Sequence, residues 1–175
     1  MKKKQIKFRT VRQSDLQIIR DWRNSSGTRE FNTQFTLLNM VNQKQWFDAI
    51  SQRDSTRKMF MILDGANQPI GICGLINMDN ENRSADIAII IGERKRRGKM
   101  LGYESLNFLV KYGFKKLKLH RIGAEIFEYN VSSIGLFEKV GFELEAIFRE
   151  SLWRMGKWWN VYLYSILTTK YRPVT

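Results

Sequence analysis

The chain has 175 residues, a mass of 20.7 kDa and a formal net charge of +13, from 30 Lys and Arg residues against 17 Asp and Glu residues. This length fits one domain, since domains usually hold about 100–200 residues, and a content of 43% hydrophobic and 13% aromatic residues argues against a disordered chain. Cys73 is the single cysteine, which excludes an intrachain disulfide and any zinc or redox motif that needs two cysteines. We expect one domain over residues 1–175, with residues 170–175 frayed.

The N-terminal segment predicts a cytoplasmic protein. Residues 1–7 are basic but are followed by no apolar stretch of the signal-peptide kind. The longest purely apolar run, residues 87–91, is far shorter than the roughly 20 residues that a membrane-spanning helix needs. No membrane partner is therefore expected.

The positive charge points to an anionic partner, because such a field concentrates anions near the protein. Nucleic acid, an anionic membrane surface and a small phosphate-rich ligand would all suit it. The alternative without a functional cause is that the lysines reflect an AT-rich genome. Charge alone does not choose among them.

Hydrophobic periodicity and turn residues predict the elements of the first half of the chain. In chain order they are a strand over 8–11, a helix that starts at the capping-box sequence 14–17, a structured loop over 23–39, a second helix start at 42–45, a hairpin of 60–63 with 70–76, and a strand over 85–91.

The second half predicts two helices and three strands. After a basic loop, apolar residues at helical spacing form one face of a helix, namely Leu106, Leu109, Val110, Gly113 and Leu117. Next come a strand over 122–127, a short helix that Gly141 ends, and closing strands over 142–148 and 158–167. The order β-α-α-β-β-β-α-β-α-β-β predicts a single α/β sandwich with neighbouring antiparallel strands.

The segment between the strand over 85–91 and the following helix is a candidate phosphate-binding loop. Residues 94–99 carry five cations, and Gly98 and Gly102 would let the backbone approach a ligand closely. The start of a helix also favours phosphate, because its N–H groups are unpaired and its dipole is positive there. Neither GxxxxGK[ST] nor GxGxxG is present, and a solvated basic turn remains the alternative.

Two motifs together identify a resemblance to the GNAT superfamily of N-acetyltransferases. Residues 97–102 resemble its R/Q-x-x-G-x-G/A pyrophosphate loop, and residues 130–142 are similar to its N-x-x-S/A…L-Y-x-K-x-G-F block. Residues 22–24, 148–150 and 156–158 look like the RimJ/RimL-type branch, which includes N-terminal-alanine, spermidine and nucleotide-amino-sugar acetyltransferases. The resemblance implies a mixed, mostly antiparallel twisted sheet of about seven strands with helices on both faces.

The resemblance also implies acetyl-CoA as co-substrate, with no metal, in an opening where two neighbouring strands splay apart. The residues it places at acetyl-CoA are Ile89, Ile90 and Ile91 through their backbone, Arg97, Gly98, Lys99, Met100, Leu101 and Gly102 at the pyrophosphate, and Asn130 at the pantetheine arm. Such an arrangement suits direct transfer, which needs thioester and amine within attack distance and donors aimed at the developing oxyanion.

Two residues depart from the family pattern. Met100 stands where glycine is usual, so its side chain would have to point away from the phosphates. Phe137, expected beside the cofactor, stands where the family commonly has a tyrosine that protonates the leaving thiolate. Ser133 or solvent would then supply the proton, or the thiolate would leave unprotonated, which its modest basicity permits.

A general base is expected within reach of the acceptor amine. By resemblance Glu125 is the first candidate, because it lies five residues before Asn130, where the ribosomal-protein alanine acetyltransferases have a catalytic glutamate. A salt-bridged residue of the sheet is the alternative. Asp86 is the second candidate, and His120 is interpreted as a surface residue.

Candidate acceptor contacts come from the start of the chain. Trp22, Arg23 and Asn24, with the loop that follows and Trp46, could line an acceptor pocket. The alternative is that Trp22 packs the first helix. The late aromatics Trp153, Trp158, Trp159 and Tyr162 are interpreted as core or homodimer contacts.

We expect an acetyl-CoA-dependent N-acetyltransferase. A nucleic-acid-binding module is the first rival, although residues 111–114 match an RNA-binding signature only in part. A CoA-binding protein without catalysis is the second. Among acceptors, a polyamine needs an acidic pocket and suits the +13 charge poorly, and a protein N-terminus stays open. A small anionic acceptor, a nucleotide-linked 4-amino sugar of the pseudaminic-acid type, fits the charge better.

Overall fold

A seven-stranded sheet forms the centre of the computed structural model, which describes residues 6–33, 35–92 and 100–172. Its strands are β1 (Lys7–Thr10), β2 (Lys58–Leu63), β3 (Pro69–Asp79), β4 (Ser84–Ile91), β5 (Arg121–Phe127), β6 (Glu143–Arg154) and β7 (Lys157–Leu167). The strand order is β1-β2-β3-β4-β5-β7-β6, and of these neighbours β4 and β5 alone run parallel. The predicted fold class is confirmed.

Within the described residues, five α-helices accompany this sheet. They are α1 (Leu16–Asn24), α2 (Ser26–Arg29), α3 (Met40–Ser51), α4 (Leu101–Lys115) and α5 (Val131–Val140). The helix α2 lies in the segment predicted as a loop, because four residues are too few to show helical periodicity. The predicted apolar face of α4 is buried, except that Leu117 lies beyond the end of the helix and packs against the larger hydrophobic cluster.

The helix starts differ from prediction because other side chains cap them. Instead of Ser14, Asp15 closes the turn before α1: its carboxylate accepts the Arg12 N–H at 2.7 Å and pairs with Arg9 at 2.6 Å. Burial opposes ionisation of Asp15, but these hydrogen bonds and charges lower its pKa overall.

The start of α3 lies before the predicted segment 42–45. Asn39 accepts the Asn42 N–H at 2.8 Å, and the Asn42 side chain accepts the Asn39 N–H at 3.1 Å. This reciprocal cap satisfies two backbone donors, so the helix begins at Met40.

Two hydrophobic clusters lie on opposite faces of the sheet. The larger cluster joins the sheet to α4 and α5, and includes Leu106, Leu109, Ile122, Ala124, Ile126 and Phe137. The smaller cluster joins it to α1, and holds Ile19, Trp22, Met61, Leu63 and Ile72 with half-buried Trp46 and Ile90. On β4, the side chain of Ile90 therefore faces α1 while those of Ile89 and Ile91 face α4.

The parallel pair β4–β5 is short. Its register is Ser84 with Arg121, Ala85 with Ile122 and Asp86 with Gly123, and it ends there. Both strands continue, β4 to Ile91 and β5 to Phe127. The two strands therefore part in the middle of the sheet.

Two side-chain contacts lie at the end of the described chain. Lys170 pairs with Glu143 at 2.6 Å, and the ring of Tyr171 packs on Phe114 with centroids 5.3 Å apart. Fraying of residues 170–175 stays a prediction, and residues 173–175 lie outside the described chain.

Among the described helices, none is both long and apolar enough to cross a membrane. Within the same residue ranges, no group of three or more His, Cys, Asp or Glu side chains is placed to hold a metal ion.

Cys73 is expected to be inert toward thiol reagents in the native protein. It is fully buried in the larger cluster, and burial raises the pKa of its thiol, so little reactive thiolate forms. Ellman's reagent should detect no thiol in the native chain and one thiol per chain in guanidinium chloride. Rapid reaction of the native protein would contradict the packing of β3.

Candidate active site

A cavity of about 360 Å³ opens where β4 and β5 part. Its floor is formed by Ile89, Ile90 and Ile91 of β4. One wall comes from the start of α4 and from α5, with Met100, Leu101, Gly102, Tyr103, Asn130, Ser132, Ser133, Leu136 and Lys139. The facing wall comes from α2 and the turn after it, with Gly27, Thr28, Phe31 and Asn32. Its size lies within the range of small-molecule sites, about 300–1,000 Å³.

The sequence predicted half of this cavity. Three of the six residues predicted at the pyrophosphate, Met100, Leu101 and Gly102, line the wall at the start of α4. The other three, Arg97, Gly98 and Lys99, lie outside the described residues. The predicted strand residues form the floor, and Asn130 and Ser133 lie on the wall of α5.

Met100 has the backbone conformation that favours glycine. Its φ is 63° and its ψ is 0°, in the left-handed region, where it forms the N-cap of α4. This geometry explains why glycine is usual here in the family pattern. Its sulfur accepts from Nζ of Lys139 at 3.8 Å, and both residues line the cavity wall. That the side chain points away from the phosphates stays a prediction.

Met100→Gly is expected to raise the free energy of unfolding by about 1 kcal/mol, because glycine adopts this conformation without a Cβ penalty. Removing the side chain from the wall should also lower the dissociation constant for acetyl-CoA. Thermal melts and calorimetric titration check the two effects. Lys118→Gly is the control, since Lys118 is exposed, has a φ of 57° and lies outside the cavity wall. It should stabilise without changing acetyl-CoA affinity, and a lower Tm for Met100→Gly would contradict the argument.

Asn130 is fixed by its role as the N-cap of α5. Its side-chain oxygen accepts the Ser133 N–H at 3.3 Å and the Ser132 hydroxyl at 3.2 Å. The oxygen is thereby engaged, so the side-chain NH₂ group is the part of Asn130 that can donate to a ligand.

Phe137 lies behind the wall rather than on it. It is 4% exposed and packs edge-to-face on Phe142, with ring centroids 4.9 Å apart. It is absent from the cavity lining, whereas Ser133 is part of it. Contact of Phe137 with the cofactor therefore stays a prediction.

None of the four predicted acceptor residues reaches the cavity wall. Trp22 and Trp46 belong to the smaller hydrophobic cluster, and a Cβ on Gly92 would come within 2.1 Å of the Trp22 indole. Asn24 exchanges two 2.8 Å hydrogen bonds with the backbone of Leu38. Their acceptor contacts stay predictions.

Arg23, the fourth of these residues, is largely withdrawn from solvent. Burial, with a smaller effect from nearby Arg57, lowers the pKa of its guanidinium. It therefore lies partly buried on α1, close to Arg57.

The sequence missed the other residues of the cavity walls. Tyr103 and Lys139 lie together, with the Lys139 ammonium 5.3 Å from the ring centroid of Tyr103. Lys139 was visible as the lysine of the family block over 130–142, whereas Tyr103 carried no signal. The wall of α2 was missed because its residues show neither periodicity nor a motif.

Glu125 lies on β5 beyond the last residue that pairs with β4. It is exposed, while its neighbours Ala124 and Ile126 are buried against α4 and α5. Its side chain thus shares the α1 face of the sheet with Ile90, which belongs to the cavity floor. It is not itself part of the described lining.

Asp86 lies where the two strands still pair. It accepts a hydrogen bond from Asn77 at 3.0 Å, and a Cβ on Gly123 would come within 2.6 Å of its Oδ1. The pKa of Arg121 is raised mainly by its hydrogen bond to Glu145, and the charge of Asp86 adds to that effect. These contacts favour a structural role for Asp86. His120, as interpreted, is exposed.

The late aromatics divide into two groups. Trp153 and Trp158 are exposed and pack on each other with centroids 5.2 Å apart, whereas Trp159 and Tyr162 are half-buried. The homodimer stays a prediction.

Comparison with known proteins places these features in a family. The model of the acetyltransferase (GNAT) domain matches residues 5–143. An uncharacterised N-acetyltransferase, p20 of Bacillus licheniformis, is 30% identical over 152 residues, which cover 86% of this chain and 85% of the relative. The spermidine N(1)-acetyltransferase of Vibrio cholerae is 30% identical over 118 residues, covering 67% of this chain and 68% of that protein.

Solved structures show the same fold. The spermidine N-acetyltransferase from Vibrio cholerae in complex with CoA and spermine superposes with a TM-score of 0.87 at 24% identity, covering 95% of this chain and 98% of that one. A mutant form of the Vibrio cholerae enzyme gives a TM-score of 0.84 at 25% identity, covering 95% and 96%. With the family model spanning most of the described elements, the chain belongs to the GNAT acetyltransferase domain family and is an N-acetyltransferase.

Proposed function

We propose that the chain transfers an acetyl group directly from acetyl-CoA, bound in the cavity between β4 and β5, to the primary amine of an anionic acceptor. The observation that carries the proposal is the early end of the β4–β5 ladder after Asp86 and Gly123, with a cavity at the opening. Two helix starts, at Met100 and Asn130, border that cavity. Helix starts favour phosphate and carbonyl oxygens, which acetyl-CoA offers in numbers.

The residues suit direct transfer in this way. The amine nitrogen attacks the thioester carbonyl, a C–N bond forms, and the C–S bond breaks to release CoA thiolate. Glu125 takes the proton that the amine loses, through a water where the gap requires it. Ser133 is the wall residue that can give a proton to the thiolate, and solvent is the alternative donor.

For the acceptor we propose a nucleotide-linked 4-amino sugar, and within the family the RimJ/RimL-type branch. The +13 net charge supports an acceptor that carries phosphate. The segment 23–39 beside the cavity contains a single carboxylate residue, Glu30, against Arg23 and Arg29. A pocket for a polycation needs more carboxylates than this.

A polyamine is the second candidate. It is favoured by the similarity to the spermidine N(1)-acetyltransferase of Vibrio cholerae. Protein N-termini form a third group for the screen.

An acceptor screen tests the proposal. Nucleotide-linked amino sugars, spermidine and N-terminal peptides are each incubated with acetyl-CoA, and Ellman's reagent reads the CoA thiol released. We expect turnover with the nucleotide-linked 4-amino sugar. Turnover of spermidine or a peptide alone would overturn the acceptor proposal while leaving acetyl-CoA as donor.

The salt dependence of kcat/KM gives an independent check. Added salt should lower kcat/KM for an anionic acceptor, because it screens attraction to the cationic chain. For spermidine the same charge repels, so kcat/KM should rise with salt. A rise for the nucleotide-linked sugar would contradict the proposal.

A further inference from the structure

Three buried side-chain nitrogens beside the cavity lack a hydrogen-bond acceptor within the described chain. They are Nε of Arg29, Nδ2 of Asn32 and Nε of Arg154. The two guanidinium groups lie against one ring, with their central carbons 5.4 Å and 4.7 Å from the centroid of Phe35. We call Arg29, Asn32 and Arg154 the donor cluster.

The donor cluster is held in place from several directions. Arg154 ends β6 and donates to the Thr33 carbonyl at 3.0 Å and to the Trp153 carbonyl at 3.1 Å. Its own carbonyl accepts the Trp159 indole N–H at 3.1 Å. These bonds tie the turn after α2 to the β6–β7 hairpin, so the unpaired nitrogens keep their positions without a ligand.

A second anchor fixes the same turn from β5. The Tyr129 hydroxyl donates to the Glu30 carbonyl, and the Asn32 N–H donates to the Arg29 carbonyl at 3.2 Å. The ring of Tyr129 also packs on Phe31 with centroids 5.7 Å apart. Since Phe31 and Asn32 line the cavity, the donor cluster adjoins its α2 wall.

The three unpaired nitrogens of the donor cluster favour an anionic ligand over a cationic one. A buried donor without a partner is costly and uncommon in folded proteins, and all three atoms here are donors. No carboxylate of the described residues forms an ion pair with Arg29 or Arg154. A phosphate oxygen would supply acceptors and opposite charge at once, whereas an ammonium group would supply neither.

We propose that Arg29, Asn32 and Arg154 form the subsite that holds a phosphate group of the acceptor. The inference rests on the proposed function, since it gives the anionic part of the acceptor its place. Asn32 of the donor cluster lines the α2 wall, whereas Met100 and Lys139, where the phosphates of acetyl-CoA are proposed to bind, line the wall of α4 and α5. Acceptor and donor would then enter from facing walls with the opened strands between them.

Calorimetric titration of inorganic pyrophosphate into protein saturated with CoA tests the subsite directly. CoA fills the cofactor phosphate positions, so any further binding reports another site. We expect one additional site in the wild type, and Asn32→Leu should weaken it by about tenfold or more, as expected for the loss of a hydrogen bond to a charged group. The affinity for CoA should not change. Absence of the additional site, or equal loss of CoA binding in the variant, would overturn the proposal.

The stability of the ligand-free variant separates a binding role from a structural one. Asn32→Leu removes a buried donor without a partner, so its Tm should equal or exceed that of the wild type. Asn24→Leu is the matched control, because Asn24 makes two 2.8 Å hydrogen bonds to Leu38, and its Tm should fall. A fall for Asn32→Leu as large as that for Asn24→Leu would mean that Asn32 serves the fold.

Asn32→Asp separates the subsite proposal from the acceptor proposal. It places an acceptor oxygen and a negative charge where the donor was, so KM for a nucleotide-linked amino sugar should rise and pyrophosphate binding should be lost. If KM for that sugar stays constant, the subsite fails while the proposed function stands. If pyrophosphate binding is lost but no nucleotide-linked sugar is acetylated, the subsite stands and the acceptor proposal fails.

Discussion

Glu125→Gln is expected to lower kcat by about 10²–10⁴-fold, the usual loss when a general base is removed. Glutamine keeps the shape of the side chain and cannot accept the proton of the attacking amine. The deficit should shrink as pH rises, because a growing fraction of the amine then loses its proton to solvent. Steady-state kinetics across the pH range would measure both effects.

Glu143→Gln is the matched control for charge. Glu143 is exposed on β6 and pairs with Lys170, away from the cavity lining, so its loss should leave kcat unchanged. Asp86→Asn tests the other candidate base. Because Asp86 accepts from Asn77 beside the paired part of the strands, its variant should lose stability more than rate. An effect of Glu125→Gln that is small and independent of pH would exclude Glu125 as the base.

Gly102→Val is expected to weaken acetyl-CoA binding by about 5- to 150-fold. Gly102 lies in the first turn of α4 on the cavity wall, and a Cβ there would come within 2.8 Å of Cδ2 of Leu136 on α5. Leu136, which also lines the cavity, must shift, and the valine side chain would keep the pyrophosphate from the backbone. A steric cost of about 1–3 kcal/mol in the complex converts to that change in dissociation constant. Calorimetry with acetyl-CoA measures it.

Gly135→Val supplies the comparison. Gly135 is exposed on α5, and a Cβ there meets nothing within 4 Å, so valine should fit. Acetyl-CoA affinity should match the wild type. If Gly102→Val binds acetyl-CoA as tightly as Gly135→Val, the pyrophosphate does not approach the backbone at Gly102.

Long, regular patterns were the part of the fold that the sequence could predict. The apolar face of α4 is visible as a helical period, and β3 and β4 are visible as continuous apolar runs. The start of α3 was wrong by a few residues, because a reciprocal pair of asparagines set it rather than the apolar pattern. The six-residue extension of β6 from residue 149 to Arg154 was missed for a related reason, since most of this strand is exposed.

In the candidate site, too, local features were predictable and long-range contacts were not. Local motifs predicted the start of α4 and Asn130, since backbone groups and caps depend on nearby residues. Trp22 could not be assigned in this way. The sequence around an aromatic residue does not show whether its side chain contacts a ligand or, as here, packs on Gly92. The donor cluster joins Arg29 to Arg154 across most of the chain, and no local pattern records such a meeting.

The short β4–β5 ladder is also the junction of the sheet with the fewest paired residues. Strands β1 to β4 pair with sequence neighbours on one side, and β5, β7 and β6 pair on the other, with three residue pairs between them. Amide hydrogens near this junction should exchange through local opening well below the free energy of global unfolding. A ligand bound across the opening would contact both halves of the sheet and, by mass action, raise the free energy of this local opening. Ligand binding would then stabilise the junction between the two halves of the sheet, and the exchange rates of its amide hydrogens would measure both effects.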